Sequence, residues 1–176
     1  MLLFETERLE VRQLNIKDFD YFKELVTAPE IIDPVPVKRW SDAEVEERFE
    51  NFTNYPVNPN EKETVIWGVF EKGNEELIGL NGYLTNDENQ REIAYRFRKP
   101  YWGKGYATEL AKNMIVFCFE TLENQVLTAD VFIENIGSVK ILEKFFNPVR
   151  EFYNEKDGCM DRRYILTKED WINNKK

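Results

Sequence analysis

The sequence contains no histidine. That removes the commonest general base near neutral pH and the commonest transition-metal ligand. Serine–histidine and cysteine–histidine nucleophilic mechanisms are excluded with it, and no metal is expected. Cysteine is scarce: Cys118 and Cys159 do not make a disulfide framework. No apolar run approaches the roughly 18 residues of a membrane span. The opening Met1-Leu2-Leu3-Phe4-Glu5 has neither a basic start nor a long apolar core. No signal peptide and no membrane partner are therefore read, and a cytoplasmic protein is expected. Basic residues are outnumbered, 24 against 33 acids, for a net charge of −9. Nucleic acid is disfavoured as a partner, because binding it requires neutralised phosphates. A cationic substrate such as an amine would be drawn to this field, although acidity also serves solubility alone.

What is present argues for a folded domain. The 176 residues are 42% hydrophobic and 14% aromatic, enough for one domain spanning 1–176 with a sizeable core. Residues 7–14 alternate around Leu9 and Val11 as a strand. Asn15 can cap a helix bearing Phe19, Phe22, Leu25 and Val26, ended by Pro29. Pro34 and Pro36 make a stiff extended connection. Ser41 and Glu44 form a capping box ahead of Val45, Phe49 and Phe52. Residues 54–60, rich in Asn and Pro, read as a loop. Residues 64–71 and 76–84 flank a hairpin turn at Lys72-Gly73-Asn74-Glu75, and 91–98 form a third strand that Pro100 ends. A helix over 106–122 carries Ala107, Leu110, Ala111, Met114 and Cys118 on one face. A strand at 126–134, a short helix at 138–146, strands at 149–154 and 160–166 and a last helical turn at 168–174 follow. The expected class is a mixed α/β domain with one main sheet and helices on both faces.

The most informative stretch is Pro100-Tyr101-Trp102-Gly103-Lys104-Gly105-Tyr106-Ala107-Thr108-Glu109. Its glycines let the backbone turn tightly, and the helix that follows adds unpaired N–H groups and the positive end of its dipole. Together these suit a phosphate or pyrophosphate. The nucleotide-triphosphate loop fails, because Lys104 is followed by Gly105. The dinucleotide fingerprint fails at Thr108, where it needs glycine or alanine. The span from Arg91 to Lys104 holds five basic residues against one acid, which favours an anionic ligand over a plain turn.

The segment Glu92-Ile93-Ala94-Tyr95-Arg96-Phe97 through Glu109 resembles the coenzyme A signature of the GNAT N-acetyltransferase family. That signature reads Gln/Arg-x-x-Gly-x-Gly/Ala, and Trp102, Gly105 and Ala107 fall on its marked positions. Tryptophan at the first resembles the Rim-type branch, which acetylates N-termini of ribosomal proteins. Glu134-Asn135-Ile136-Gly137-Ser138, continuing to Leu142-Glu143-Lys144, is similar to that branch as well. So are Thr6-Glu7-Arg8-Leu9 at the start and Tyr164 to Trp171 near the end.

The resemblance implies a central, mostly antiparallel sheet of about seven strands with a splayed parallel pair in the middle. It implies acetyl-CoA as co-substrate, its pantetheine arm along Tyr95, Arg96, Phe97 and Arg98. Its pyrophosphate would lie on the N–H groups of Trp102, Gly103, Lys104, Gly105, Tyr106, Ala107 and Thr108. Asn135 would contact the coenzyme, and an amine, either a small molecule or a protein N-terminus, would accept the acetyl group. Family habit implies a homodimer.

An amine attacks only when neutral, and a lysine-like amine with pKa about 10.4 is mostly protonated near pH 7. Without histidine, a carboxylate is the available base. Glu92 matches the family's glutamate base on this strand; alternatively it pairs with Arg91 or Arg96. The family's acid is a tyrosine on the short helix, but Leu142 stands there, which leaves Ser138 as the donor or solvent in its place. Trp40, Tyr55, Trp67 and Tyr83 are aromatic candidates for the acceptor wall, or packing residues. Two further readings stay open: a coenzyme A-binding regulatory module without strong catalysis, and a nucleotide-binding regulatory domain.

Overall fold

A computed structural model describes residues 1–54 and 64–174. In chain order its elements are β1 (Leu2–Glu5), β2 (Leu9–Arg12), α1 (Phe19–Thr27), α2 (Pro29–Ile32), α3 (Asp42–Thr53), β3 (Val65–Glu71), β4 (Leu77–Thr85) and β5 (Arg91–Phe97). Then come α4 (Tyr106–Val116), β6 (Val126–Phe132), α5 (Ile136–Leu142), β7 (Asn147–Asn154), β8 (Cys159–Thr167) and α6 (Lys168–Asn174). All eight strands form one sheet in the order β1-β2-β3-β4-β5-β6-β8-β7. Every neighbouring pair is antiparallel except β5 and β6.

Strand alternation sends successive side chains to opposite faces, and two apolar clusters result. On one face Trp67, Val69, Ile78, Ile93, Phe97 and Leu127 pack with Leu110 and Met114 of α4 and Leu142 of α5. On the other, Phe70, Leu77 and Leu80 pack with Phe22 and Leu25 of α1, Ile31 of α2 and Phe49 of α3. Helices thus cover both faces, but α1, α2 and α3 lie over the β2-to-β5 half. Among the described residues no helix is long and apolar enough to cross a membrane.

Several local expectations shift. The sheet has eight strands rather than about seven, because Leu2–Glu5 pairs with β2 across an irregular register. Four residues are too few to show a period in sequence. Asn15 caps a short 3-10 turn, in a reciprocal box with Asp18, and α1 begins only after it. Pro29 does not merely end α1; it opens α2, where its missing N–H costs nothing. The capping box of Ser41 and Glu44 is formed. The helix expected over 106–122 is α-helical only to Val116. It continues to Thr121 in wider π winding, with Leu122 N–H donating to the Phe117 carbonyl at 3.1 Å. Three successive residues, Phe117, Cys118 and Phe119, are all buried there, a broader stripe than an α turn presents. Beyond Asn54 the expected Asn/Pro-rich loop, with Tyr55, lies outside the described residues.

Candidate active site

The site begins where the one parallel pair comes apart. β5 and β6 share a single registered pair, Glu92 opposite Thr128. The Thr128 hydroxyl donates to the Arg91 carbonyl at 3.1 Å and pins the strands at that point. Beyond it the strands splay, and their C-terminal halves line two adjoining cavities. One, about 620 Å³, runs from Tyr95 and Phe97 to the glycine loop and α5, a size suited to a small ligand. The other opens between β5, β6 and the β7–β8 turn. Tyr95, Arg96, Asn135 and Ser138 line both.

The glycine loop closes the first cavity. Gly103 and Gly105 take φ of +73° and +80°, which disfavours any side chain. Gly105 is the N-cap of α4 and no side chain caps that helix. Its first-turn N–H groups, with Tyr106, Ala107 and Thr108, thus face the cavity uncapped. Trp102 is 48% exposed, and its indole N–H donates to the Phe97 carbonyl at 2.7 Å, locking loop to strand. Lys104 and Arg98 do not line this cavity. The Lys104 ammonium lies over the Tyr101 ring. Arg98 is tied to Glu24 at 2.9 Å and to Glu76. The basic run in sequence is therefore not one anion patch.

A brace that sequence reasoning missed holds the loop from behind. Glu109, in the first turn of α4, accepts from the Arg8 N–H at 2.8 Å and from Arg8 Nε at 2.7 Å. It also accepts from the Thr6 hydroxyl at 2.5 Å, while Arg8 Nη1 donates to the Lys104 carbonyl at 3.0 Å. Two motifs a hundred positions apart are thus one structural unit. Glu109→Ala is expected to weaken coenzyme A binding about tenfold, because the freed loop must be ordered by the ligand. Calorimetric titration checks this, and an unchanged affinity would show the brace to be dispensable.

Glu92 lines the second cavity. By alternation it shares the α1 face of the sheet with Ala94 and Arg96, and with Asp130 on β6 and Asp161 and Arg163 on β8. Helix α1 reaches the Arg96 end of this face, where its Leu25 carbonyl accepts from Arg96 Nη1 at 3.2 Å, and Val35, Pro36 and Val37 after α2 border the Glu92 cavity. Among the described residues no ion pair joins Glu92 to Arg96, whose guanidinium donates to that Leu25 carbonyl. Burial pushes its carboxyl up to about 7. The Asp130 charge adds to this, while the Asp130 N–H and Arg163 pull the other way. Arg163, only 2% exposed, grips Asp130 through two nitrogens at 2.8 and 2.7 Å. It also pairs with Glu88 at 2.7 Å and with Asp87.

Residues 8–145 match the family model for the acetyltransferase (GNAT) domain. The chain belongs to the GNAT acetyltransferase family. It is therefore an N-acetyltransferase, of a family that uses acetyl-CoA. A curated Bacillus subtilis relative, the uncharacterized N-acetyltransferase YjdG, is 30% identical over 155 residues, 82% of this chain and 88% of that one. Among solved structures, a GNAT acetyltransferase from Bacillus anthracis superposes with a TM-score of 0.79 at 19% identity, covering 96% and 99% of the two chains. A Rim-type neighbour, a ribosomal L7/L12 alpha-N-protein acetyltransferase in complex with coenzyme A, gives a TM-score of 0.76 at 12% identity, covering 97% and 99%.

As in the sequence, this GNAT chain has no tyrosine on the short helix: Leu142 is 3% exposed and packs in the core. Asn135 caps α5, accepting from the Ser138 N–H at 3.2 Å. The structure brings to the site a hydroxyl that sequence reasoning did not assign. Tyr95 lies on the α5 face of β5, opposite to Glu92. Its buried hydroxyl sits beside Ser138 with no completed hydrogen bond. Burial pushes it up to about 12, so it keeps its proton near neutrality. Trp67 and Tyr83 are core residues, stacked edge-to-face at 5.6 Å, and Trp40 is half-buried against the α1–α3 cluster. Burial also raises both thiols, Cys118 to about 12 and Cys159 to about 11.

Proposed function

We propose that this GNAT enzyme transfers an acetyl group from acetyl-CoA to a primary amine, on a small molecule or a protein N-terminus, by direct attack in a ternary complex. One observation carries the reading. The splayed gap between β5 and β6 has an uncapped helix N-terminus at one end and a carboxyl poised near neutrality at the other. Gly103, Lys104, Gly105, Tyr106, Ala107 and Thr108 would hold the pyrophosphate through their N–H groups, with Trp102, whose own N–H donates to the Lys99 carbonyl at 3.1 Å, bordering it. Phe97 would align the arm through its backbone and Asn135 would flank it, whereas Arg98 has its guanidinium paired with Glu24 and Glu76 and its N–H donating to the Ile78 carbonyl at 2.9 Å. When bound, acetyl-CoA supplies an activated thioester. Glu92 takes the proton of the incoming ammonium from the α1 face of the sheet. Tyr95, with Ser138 beside it, donates a proton on the opposite face. Base and acid thus act from two sides of one gap. Raised thiols support direct transfer over an acetyl-cysteine step.

Mass detection of acetylated product from a panel of amines and peptides tests the reaction. Thermal shift tests the donor: acetyl-CoA is expected to stabilise the protein, and stabilisation only by nucleotides lacking the pantetheine arm, such as NAD or ATP, would overturn the reading. Tyr95→Phe is expected to lower kcat by about a hundredfold while leaving acetyl-CoA affinity near wild type. A fall below threefold would return the donor role to Ser138 alone or to solvent. Leu142 favours a second reading, a coenzyme A-binding regulatory module. Coenzyme A binding without acetylation of any panel member would select it.

A further inference from the structure

Among the described residues Arg96 is a cation without a counter-ion. Its half-buried side chain lines both cavities. Among the described residues its guanidinium makes one hydrogen bond, from Nη1 to the Leu25 carbonyl of α1 at 3.2 Å, and no carboxylate lies within ion-pair distance. The other arginines beside this cleft are neutralised, Arg98 by Glu24 and Glu76 and Arg163 by Asp87, Glu88 and Asp130. Burial pulls the Arg96 pKa down with no opposing carboxylate to restore it. Guanidinium offers five donors in a planar fork suited to a carboxylate, and four remain for a ligand. An unpaired charge in such a place is costly unless a bound anion completes it.

The coenzyme does not supply that anion here. Its phosphates belong to the glycine loop beyond Phe97, and the pantetheine arm and thioester that would pass Arg96 carry no charge. The acceptor remains. Arg96 and Glu92 point to the same face of β5, four residues apart, so their Cα atoms are separated by about 13 Å. The Glu92 end is acidic, with Asp130 and Asp161 beside it, and draws the amine. The cleft is therefore bipolar along its length.

We propose that Arg96 binds a carboxylate of the acceptor, whose preferred form is an amine with a carboxylate several bonds away, as in an ω-amino acid or a short peptide with an acidic second residue. A free α-amino acid, whose two groups share one carbon, is too short for this spacing. The proposal rests on the acetyltransferase reading for the position of the amine.

Matched acceptors test it: 6-aminohexanoate against 6-aminohexanamide, and an Ala-Glu peptide amide against its Ala-Gln counterpart. Acetylation is read as kcat/KM, and binding is read by calorimetry with coenzyme A present, which needs no turnover. Wild type is expected to favour the acid member of at least one pair by about tenfold or more, and which pair responds separates the ω-amino acid from the peptide. Arg96→Met should bring that ratio close to one. Arg96→Lys should keep part of it, with charge retained but the fork lost. Equal binding and turnover of acid and amide members by the wild type, a comparison that needs no variant, would overturn the proposal. So would an Arg96→Met loss that falls equally on both members of each pair. Equal turnover leaves the acetyltransferase reading standing, whereas acid-selective binding without acetylation removes that reading and keeps only the carboxylate site at Arg96.

Discussion

Glu92→Gln is expected to lower kcat/KM by about two to four orders of magnitude and to abolish its dependence on pH near neutrality. The wild-type rate should rise through pH about 7, because the base must lose its proton and burial beside Asp130 holds the carboxyl there. A retained rise in the variant would place the base elsewhere. The same substitution has a stability signature of opposite sense. The folded carboxyl is raised from 4.5 to about 7. The fold therefore favours the protonated acid, a contribution complete below pH 4.5 and lost as pH rises through about 7. Above that, the folded state carries a buried charge costing roughly 3 kcal/mol. Glu92→Gln removes the charge, so its melting temperature should exceed wild type at pH 8 and match it near pH 4. A variant less active yet more stable in alkaline buffer would mark Glu92 as functionally retained strain. Equal melting at both pH values would refute it.

Arg163→Met is expected to destabilise the fold by about 3 kcal/mol or more, because it strands Asp130. Asp130 is 15% exposed and loses both of its guanidinium bonds. The activity that survives should show its pH limb displaced upward, since Arg163 holds the Glu92 carboxyl down. Denaturant unfolding gives the first quantity and the pH profile of kcat/KM the second. A merely structural role would move the first and leave the limb near pH 7.

These two expectations differ in how far the sequence revealed them. Glu92 is visible because it lies on the strand that leads into the glycine loop and matches a family position. Its tuning is not visible. Asp130, Asp161 and Arg163 come from β6 and β8, and only the sheet order β5-β6-β8 brings them to one face beside it. Tyr95 reads in sequence as an alternating strand residue. Its proposed role depends on a buried hydroxyl beside Ser138 of α5, which is a property of packing. Arg8 and Glu109 were each inside a recognised motif, yet nothing local says that the two motifs touch.

The glycine loop needed no tertiary information. Positive φ at Gly103 and Gly105 and an uncapped helix start follow from residues adjacent in the chain, so the geometry of this loop was legible from order alone. The absence of histidine likewise pointed to a carboxylate base without a structure. The proposed acceptor end rests on tertiary contacts. Whether Arg96, Arg98 and Lys104 act as one patch depended on where Glu24 and Glu76 lie. Charge in a sequence has a sign but no neighbours, and burial and pairing determine which of these cations remains open to a ligand.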